Sequence, residues 1–311
     1  MKCAEPMDDS GSVVMFGPCT AVSCMRGVSM KTPTLRCKIA AVGAAMLAAQ
    51  GAMAQGMIPF EFQEGINVAG LGLIAVPDYY GSADNEGAVR PIVRYWFGGD
   101  RYVQLLGPEL TLNLVDRKEF RAGPVLRVRG RRDDDVDDEI VKRMRPIAST
   151  TELGVFAAYH MHLDRGNPLR KLIFEVDVVG NTGDTYNGAT GNLRVNYIYP
   201  FQRSMAGNKT IGTIGLGMFF ASSSFNRAYF GVTGSDVALF PILGGREHVP
   251  DNGLTSLKLP FSLTILLEKN WLLALGGRYE RLLGDAKDSP IIEQRGDANQ
   301  WAIGAALSYA F

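Results

Sequence analysis

Apolar and polar residues alternate with a period of two in many segments that follow residue 55. In SLKLPFSLTILL, which begins at Ser256, every second residue from Leu257 onward is Leu, Phe or Ile. In NWLLALGGRYE, which begins at Asn270, Trp271 and Tyr279 fall on one face with two leucines between them. Successive side chains of a β-strand point to opposite faces. The alternation therefore predicts a series of strands, each with one apolar face.

Two architectures bury one face of many strands, a soluble sandwich and a membrane barrel. Strands of soluble sheets average about 5–6 residues, whereas tilted membrane strands need about 9–11, and the predicted strands match the longer class. The segment from Trp301 to Phe311 would cover about 33 Å, or about 25 Å of height at a tilt of about 40°, which fits the apolar band of outer-membrane barrels. Charges are almost absent from the apolar faces, where a Lys or Arg at the midplane costs about 2–4 kcal/mol. The pattern favours the barrel.

The links between these segments are of two kinds. Tight links are predicted at residues 98–100, 115–118, 163–168 and 268–270. Long polar links are predicted at residues 78–87, 131–149, 181–190, 221–252 and 284–297. Bacterial barrels place short turns in the periplasm and long loops outside. We therefore predict an all-β, transmembrane, antiparallel up-and-down β-barrel of about twelve strands, with ten or fourteen left open, and twelve requires a turn at Gly107 and Pro108.

The N-terminal region predicts a secretory signal. Residues 30–54 combine a positive start, an apolar stretch too short to span a bilayer and a small-residue cleavage motif, so we expect cleavage between Ala54 and Gln55. Residues 1–29 are interpreted as an over-extended start, with a cytoplasmic regulatory extension as the alternative. Residues 55–68 are then a short periplasmic segment and residues 69–311 the barrel. All four cysteines precede residue 38, so the predicted barrel has no cysteine chemistry.

The polar faces of the predicted strands carry charges of both signs, which would point into the lumen. These residues are Arg90, Arg94, Arg121, Arg127, Arg129, Lys171, Glu175, Asp177, Arg194, Lys258, Arg278 and Glu280. They could line a solute pathway or pair across a narrow interior. A barrel of twelve strands lies between the filled and the water-conducting classes. So many long side chains of both signs favour a largely occluded lumen.

Other polar features were weighed for chemistry. The charged run RGRRDDDVDDEIVKRMR, which begins at Arg129, could offer calcium ligands but lacks the EF-hand spacing. We interpret it as a solvated external loop that touches lipopolysaccharide. His160 and His162 share one strand face, and no G-x-S-x-G motif or catalytic trio accompanies them. We therefore expect no enzymatic activity, no cofactor and no metal site.

Three segments, in order, carry a family resemblance. GLGLIAVPDYYGSADNEGAVRPIVRY begins at Gly70, YFGVT at Tyr229 and GRYERLLGDAKDSPIIEQRGDANQ at Gly277. Over roughly residues 70–311 the chain resembles the MipA/OmpV family of Gram-negative outer-membrane proteins. The resemblance implies an outer-membrane barrel without established catalytic residues. One member is associated with a scaffold that links a lytic transglycosylase to a murein synthase, and others are described as porin-like or adhesive.

The last strand carries an assembly signal. Leu307, Tyr309 and Phe311 alternate toward a C-terminal aromatic, the pattern that the barrel-assembly machinery recognises in this class of folds. Ala302 and Ala306, on the opposite face, would leave lumen space for long polar side chains of neighbouring strands.

These observations lead to a functional hypothesis. We expect a protein of the Gram-negative outer membrane that acts as a non-enzymatic scaffold for peptidoglycan-remodelling enzymes, with a porin-like diffusion channel and a surface adhesin as alternatives. The expected partners are outer-membrane lipid, lipopolysaccharide, the assembly machinery, a lytic transglycosylase and a murein synthase. Residues 55–67, 163–168 and 200–209 would be the surfaces for the enzymes. Lys plus Arg and Asp plus Glu are 32 each, so nucleic acid is not expected.

Overall fold

The computed structural model describes residues 64–205 and 207–311. In these ranges twelve strands form one closed antiparallel barrel. The strands are β1 (Val68–Pro77), β2 (Asn85–Gly98), β3 (Arg101–Leu106), β4 (Glu109–Asn113), β5 (Phe120–Arg129), β6 (Thr150–His162), β7 (Lys171–Asn181), β8 (Ala189–Met205), β9 (Asn208–Ala221), β10 (Gly253–Leu266), β11 (Trp271–Leu282) and β12 (Asn299–Ala310). The predicted fold class and strand count are confirmed. The predicted signal peptide, with Ala54 and Gln55, lies outside the described residues.

Each strand pairs with its neighbours in sequence, and β1 pairs with β12 to close the barrel. The closing seam runs from Val68 opposite Ala310 to Ala75 opposite Ile303. Gly70 is needed there, because a Cβ on this residue would lie 2.2 Å from Oγ of Ser308.

The β3–β4 hairpin is short, and its turn lies at Gly107 and Pro108, as predicted. Gly107 has φ of 55°, a backbone conformation that favours glycine. Its N–H donates to the carbonyl of Pro91 at 2.8 Å. The pairing of β2 with β3 begins at Ile92, which lies opposite Leu106. Residues 85–91 of β2 therefore pair in the sheet with β1, and Pro91 also accepts from the β3–β4 turn.

Apart from the β3–β4 turn, which lies on the side of the long loops, short turns lie at one end of the barrel and long loops at the other. The long loops contain helices α1 (Ser223–Phe230), α2 (Gly284–Lys287) and α3 (Pro290–Arg295). Among the described residues, no helix combines the length and apolar character required to cross a bilayer.

The predicted turn at residues 200–209 is wrong in its extent. Strands β8 and β9 continue to Met205 and Asn208, so only two residues link them. Pro200 lies within β8, where it pairs opposite Ile211 near a register shift that follows Phe201. Irregular pairing of this kind is where a strand tolerates proline.

The outward faces of the strands are apolar and exposed, as contact with lipid requires. Leu71 and Leu73 on β1 are 62% and 68% exposed. An aromatic pair lies near each end of the neighbouring strands β11 and β12, on the lipid-facing side. Tyr279 and Trp301 lie 4.9 Å apart toward the long-loop end. A second pair, Trp271 with Tyr309, has ring centroids 5.4 Å apart toward the short-turn end. Aromatic girdles at both interfaces are typical of membrane barrels.

Candidate functional site

The charged side chains predicted for the lumen point inward, because they alternate with the lipid-facing residues. Ten are buried, namely Arg90, Arg94, Arg121, Arg127, Arg129, Lys171, Asp177, Lys258, Arg278 and Glu280. Glu175 and Arg194 are partly buried, with side chains 26% and 20% exposed. Ionised groups in such positions require partners.

A network centred on Arg127 joins four strands. Its Nη2 lies 2.7 Å from Oε2 of Glu109 on β4 and 3.1 Å from Oδ1 of Asp177 on β7. Its Nη1 lies 3.8 Å from Oε2 of Glu152 on β6. Glu109 and Glu152 were not among the predicted lumen charges. Both lie at positions that the period-two alternation assigns to the inward face, so the alternation itself could have identified them.

The same network continues to β8 through Asp177. Arg194 donates from Nη2 to Oδ2 of Asp177 at 2.6 Å and also pairs with Glu175. Asn192 donates from Nδ2 to Oδ1 of Asp177 at 3.0 Å. Asp177 therefore binds side chains from β5 and β8, and the polar groups fill this part of the lumen.

A second cluster surrounds Glu280, which is fully buried on β11. Ser256 and Tyr80 donate their hydroxyl hydrogens to its Oε1 at 2.5 and 2.7 Å. Nζ of Lys258 lies 3.7 Å from Oε1, and Nε of Arg278 lies 3.3 Å from Oε2. Burial, together with the charge of Glu280, raises the pKa of Tyr80 well above its ordinary value. Tyr80 therefore stays neutral and keeps donating to the carboxylate.

The long loops fold over their end of the barrel and pack into one buried apolar cluster, which we call the loop plug. Its buried members are Tyr79, Tyr80, Val136, Val141, Met144, Ile147, Tyr186, Phe219, Ala221, Phe225, Tyr229, Phe230, Val232, Phe240, Leu282, Ala286, Ile291 and Ile292. Helix α1 lies within it and begins where Oγ of Ser222 accepts from the N–H of Phe225 at 3.4 Å. Phe225 and Tyr229 then stack with ring centroids 4.4 Å apart. Residues four apart on a helix share one face, which α1 buries in the plug.

The loop plug rests on the charges of the lumen. The guanidinium of Arg129 lies 4.8 Å from the ring centroid of Phe225, and Nζ of Lys258 lies 4.4 Å from that of Phe219. Tyr186 donates its hydroxyl hydrogen to Oε1 of Glu152 at 2.5 Å. Cation–π contacts of desolvated groups contribute about 2 kcal/mol or more. The loop plug is therefore in direct contact with the charged side chains of the lumen.

The prediction of a solvated external loop for the charged run at residues 129–145 is wrong in part. Val136, Val141, Met144 and Ile147 are buried in the loop plug, because apolar residues recur among the charges and turn inward. The carboxylates of Asp133, Asp134 and Asp135 lie within 4.8 Å of one another. Their neighbour Arg131 pairs with the first and the third. Burial lowers the pKa of the nearby Arg132 to about 10.

The short-turn half of the lumen contains the end of the N-terminal segment. Oε1 of Glu64 lies 2.8 Å from Nζ of Lys171 and 3.6 Å from Nδ1 of His160. Burial alone would raise the pKa of Glu64, but the hydrogen bonds and charges of His160 and Lys171 outweigh it and hold the pKa well below its ordinary value. His162 lies two residues further on and is partly buried.

A cavity of about 140 Å³ lies in this half. Its polar lining includes Glu64, Gln104, Glu109, Glu175, Arg194 and Asn196. Glu64 and Asn192 were not predicted as lumen residues, and for Glu64, which precedes β1, the alternation of apolar and polar residues offers no signal.

The C-terminal residues singled out for assembly face the lipid. Leu307, Tyr309 and Phe311 are 48%, 41% and 61% exposed. On the opposite face Ala302 is buried and pairs in register with Arg278. The small residue leaves space for the long guanidinium side chain in the lumen.

Together these features define the class. A closed twelve-stranded barrel with an apolar exterior, aromatic girdles and a charged interior is an outer-membrane β-barrel. The chain belongs to the family described as MltA-interacting protein MipA, which matches residues 69–311. Its location is the bacterial outer membrane, as for the relatives below.

Two curated relatives are outer-membrane proteins of vibrios. The chain is 32% identical to outer membrane protein Omp26La of Vibrio anguillarum over 95 residues, which are 30% of this chain and 34% of that protein. It is 30% identical to outer membrane protein OmpV of Vibrio cholerae over the same shares. The match thus spans about a third of the length of these relatives.

Two solved barrels are similar in outline. The NanC porin has a TM-score of 0.39 and 9% identity, over 79% of this chain and 99% of that chain. OprD of Pseudomonas aeruginosa has a TM-score of 0.30 and 13% identity, over 78% and 65%.

Proposed function

We propose that this protein is a closed outer-membrane barrel that anchors peptidoglycan-remodelling enzymes at its short-turn end, without catalysing a reaction itself. One support is the family description, which names an interaction with MltA, a lytic transglycosylase. The observation that carries the proposal is the filling of the lumen by the Arg127 network and the loop plug. A filled lumen blocks the diffusion of solutes, whereas the surface of the barrel remains available to bind partner proteins.

The short-turn end offers a preorganised surface. Bacterial outer-membrane barrels turn this end to the periplasm, where peptidoglycan lies. Asn113, fully buried, donates from Nδ2 to the carbonyls of Asp100 and Val115 at 2.7 and 3.0 Å. The N–H of Asp100 donates to Oδ1 of Asp116 at 2.8 Å. These bonds hold the β2–β3 turn against the β4–β5 loop, so a partner meets a fixed shape and loses less entropy on ordering it.

An exposed apolar side chain lies on this surface. Leu114 is 54% exposed in the β4–β5 loop, beside the exposed charges of Arg117 and Lys118. An apolar contact with a charged rim is the usual composition of a protein–protein interface.

The test is capture of a purified lytic transglycosylase by the purified barrel in mild detergent. We expect Leu114→Asp to weaken capture roughly tenfold, since each 1.4 kcal/mol is a factor of ten in affinity. Ile242→Asp is the matched control, because Ile242 is 69% exposed at the long-loop end. Equal capture by both variants, or none by the unaltered barrel, would refute the scaffold.

The cavity of about 140 Å³ favours a second candidate, a diffusion channel. Charged groups of both signs line it, as in a pathway for small polar solutes. Single-channel conductance in a planar bilayer separates the candidates. The scaffold predicts a silent barrel. Discrete openings whose ion selectivity shifts in Arg94→Ala and Arg127→Ala would favour the channel.

A further inference from the structure

The lipid-facing wall contains a groove of about 810 Å³ that crosses strands β8 to β12. Outward side chains on its sides include Tyr197, Tyr199, Phe201, Phe261, Leu263 and Ile303. The small outward residue Ala305 leaves its floor low, and the backbone of Gly276 and Gly304 completes it. We call this feature the outer-wall groove.

The groove has the capacity of a lipid chain. Its volume of about 810 Å³ is many times the roughly 30 Å³ that one water molecule takes in the liquid. A methylene group is of similar size, so an acyl chain fits with space to spare. The ring of Phe201 covers Gly212 so closely that a Cβ there would lie 2.8 Å from its Cε2. Apolar walls that lack a partner forfeit dispersion contacts, so within a bilayer the groove is filled.

A cation lies at the mouth of the groove. Nε of Arg170, in the β6–β7 turn, donates to the hydroxyl oxygen of Tyr197 at 3.3 Å. Its guanidinium carbon lies 5.7 Å from the ring centroid of Tyr199. Arg170 is exposed, and Asp164 of the same turn acts on it electrostatically. Exposed pairs of this kind contribute little, which leaves the guanidinium able to bind an anion.

We propose that the outer-wall groove is a binding site for one anionic phospholipid of the periplasmic leaflet. An acyl chain lies against Ala305 and the rings beside it, and the phosphate accepts hydrogen bonds from Arg170. The guanidinium fork matches phosphate oxygens in pairs. The short-turn end faces the periplasm, so Arg170 lies at headgroup height.

A second copy of the barrel fits the groove less well. Its outer wall is convex, so it would contact the rims formed by Tyr199 and Phe261 and leave the floor empty. It would also bring an apolar surface against Arg170, whereas a phospholipid supplies the counter-charge. The site does not depend on the proposed function.

The test is native mass spectrometry of the delipidated, folded barrel titrated with phosphatidylglycerol or with diacylglycerol, which lacks the phosphate. The unaltered protein should retain one phosphatidylglycerol. Ala305→Trp fills the groove and should weaken both ligands roughly tenfold. Arg170→Gln should weaken phosphatidylglycerol by a similar factor and leave diacylglycerol unchanged.

Matched controls lie on the same molecule. Ala157 faces lipid from β6, on the other side of the barrel, and Arg165 is an exposed arginine of the same turn as Arg170. Ala157→Trp and Arg165→Gln should bind as the unaltered protein does. The proposal is overturned if Ala305→Trp retains lipid normally or if the control variants lose it equally. A dimer that protects the groove while excluding lipid would also overturn it.

Discussion

Arg129 on β5 donates two hydrogen bonds to Glu152 on β6, from Nε to Oε1 at 2.7 Å and from Nη2 to Oε2 at 2.9 Å. Both residues are buried. Glu152 also accepts from Tyr186, and Arg129 lies over Phe225, so both members of the pair contact the loop plug. This one pair therefore joins the barrel wall to the loops that close it.

The first prediction concerns this pair. Glu152→Gln leaves the buried guanidinium of Arg129 without its carboxylate, and removing one partner of a buried pair costs about 3–5 kcal/mol. Urea unfolding of the barrel in lipid vesicles measures the loss. Glu293→Gln is the control, since Glu293 is exposed on α3 and surface changes stay within about 0.5 kcal/mol. Equal stability of the two variants would contradict a structural role for the pair.

The second prediction concerns the closing of the long-loop end. Phe225 is fully buried in the loop plug, and Phe225→Ala should cost about 3–5 kcal/mol of packing. We expect intermittent conductance in a planar bilayer, because the loops then open locally. Phe261→Ala removes the same ring from the lipid-facing wall, where Phe261 is 40% exposed, and should remain silent. A silent Phe225→Ala barrel with protease-sensitive loops would show that the charged network alone closes the lumen.

The third prediction is loss of the loop plug at alkaline pH. Burial, together with neighbouring charges, raises the pKa of Tyr79, Tyr80 and Tyr186, and burial raises the pKa of Tyr229 to about 12. Because the pKa of each tyrosine is higher in the folded than in the unfolded state, its contribution to stability is fully present below the ordinary pKa of about 10. The contribution falls as pH rises further. Arg132, with its lowered pKa, opposes this trend but is one group against four. Near-UV circular dichroism against pH measures the loss.

Tyr229→Phe tests that prediction. Its buried hydroxyl has no hydrogen-bond partner among the described residues, so the variant should be at least as stable at pH 7. The alkaline transition should move to higher pH, because one ionisation is removed. An unchanged transition would show that Tyr229 does not take part.

The fourth prediction concerns the short-turn end. Glu64→Gln removes the charge that pairs with the fully buried Lys171, and a hydrogen bond to a charged group contributes about 1.5–3 kcal/mol. The pKa of Glu64 is lowered on folding, so its contribution is present above the ordinary pKa of 4.5 and is lost as pH falls through the lowered value. The variant should therefore differ from the unaltered protein at neutral pH and converge with it in strong acid. Glu119→Gln, at an exposed position of the same end, should show neither effect.

The fifth prediction separates assembly from stability. Phe311 follows the last residue of β12 and its ring is 61% exposed on the lipid side, so Phe311→Ser should lower the stability of the refolded barrel by about as much as the loss of another lipid-facing ring does. If the C-terminal aromatic serves as the assembly signal, the amount of barrel in the outer membrane of cells should fall as well. Phe97→Ser changes a lipid-facing ring that is 45% exposed on β2, and its assembly should be normal. A parallel loss in both variants would argue against a signal at Phe311.

The barrel was predictable because lipid imposes a strict alternation. The run from Leu257 to Leu267 shows which side chains face outward, and the turn at Gly107 and Pro108 completes the count of twelve. The partners of Arg127 were not predictable, since they come from β4, β6 and β7 and depend on the register of each pairing.

The loops gave weaker signals. Val136 and Met144 lie among acidic and basic residues, and composition alone indicated solvent exposure. Burial came from tertiary packing within the loop plug, which the pattern of the strands does not constrain. Glu64 likewise precedes β1, and only its contact with Lys171 reveals that it enters the lumen.

The seam between β1 and β12 has a consequence for the order of events during biogenesis. β1 leaves the ribosome before all the other strands, yet it finds its second neighbour only when β12 arrives. Contacts so distant in sequence form late. Until then the sheet has two free edges, which can pair with strands of other chains. The free edges of β1 and β12 must therefore be kept from pairing with strands of other chains until Val68 pairs with Ala310 and the barrel closes.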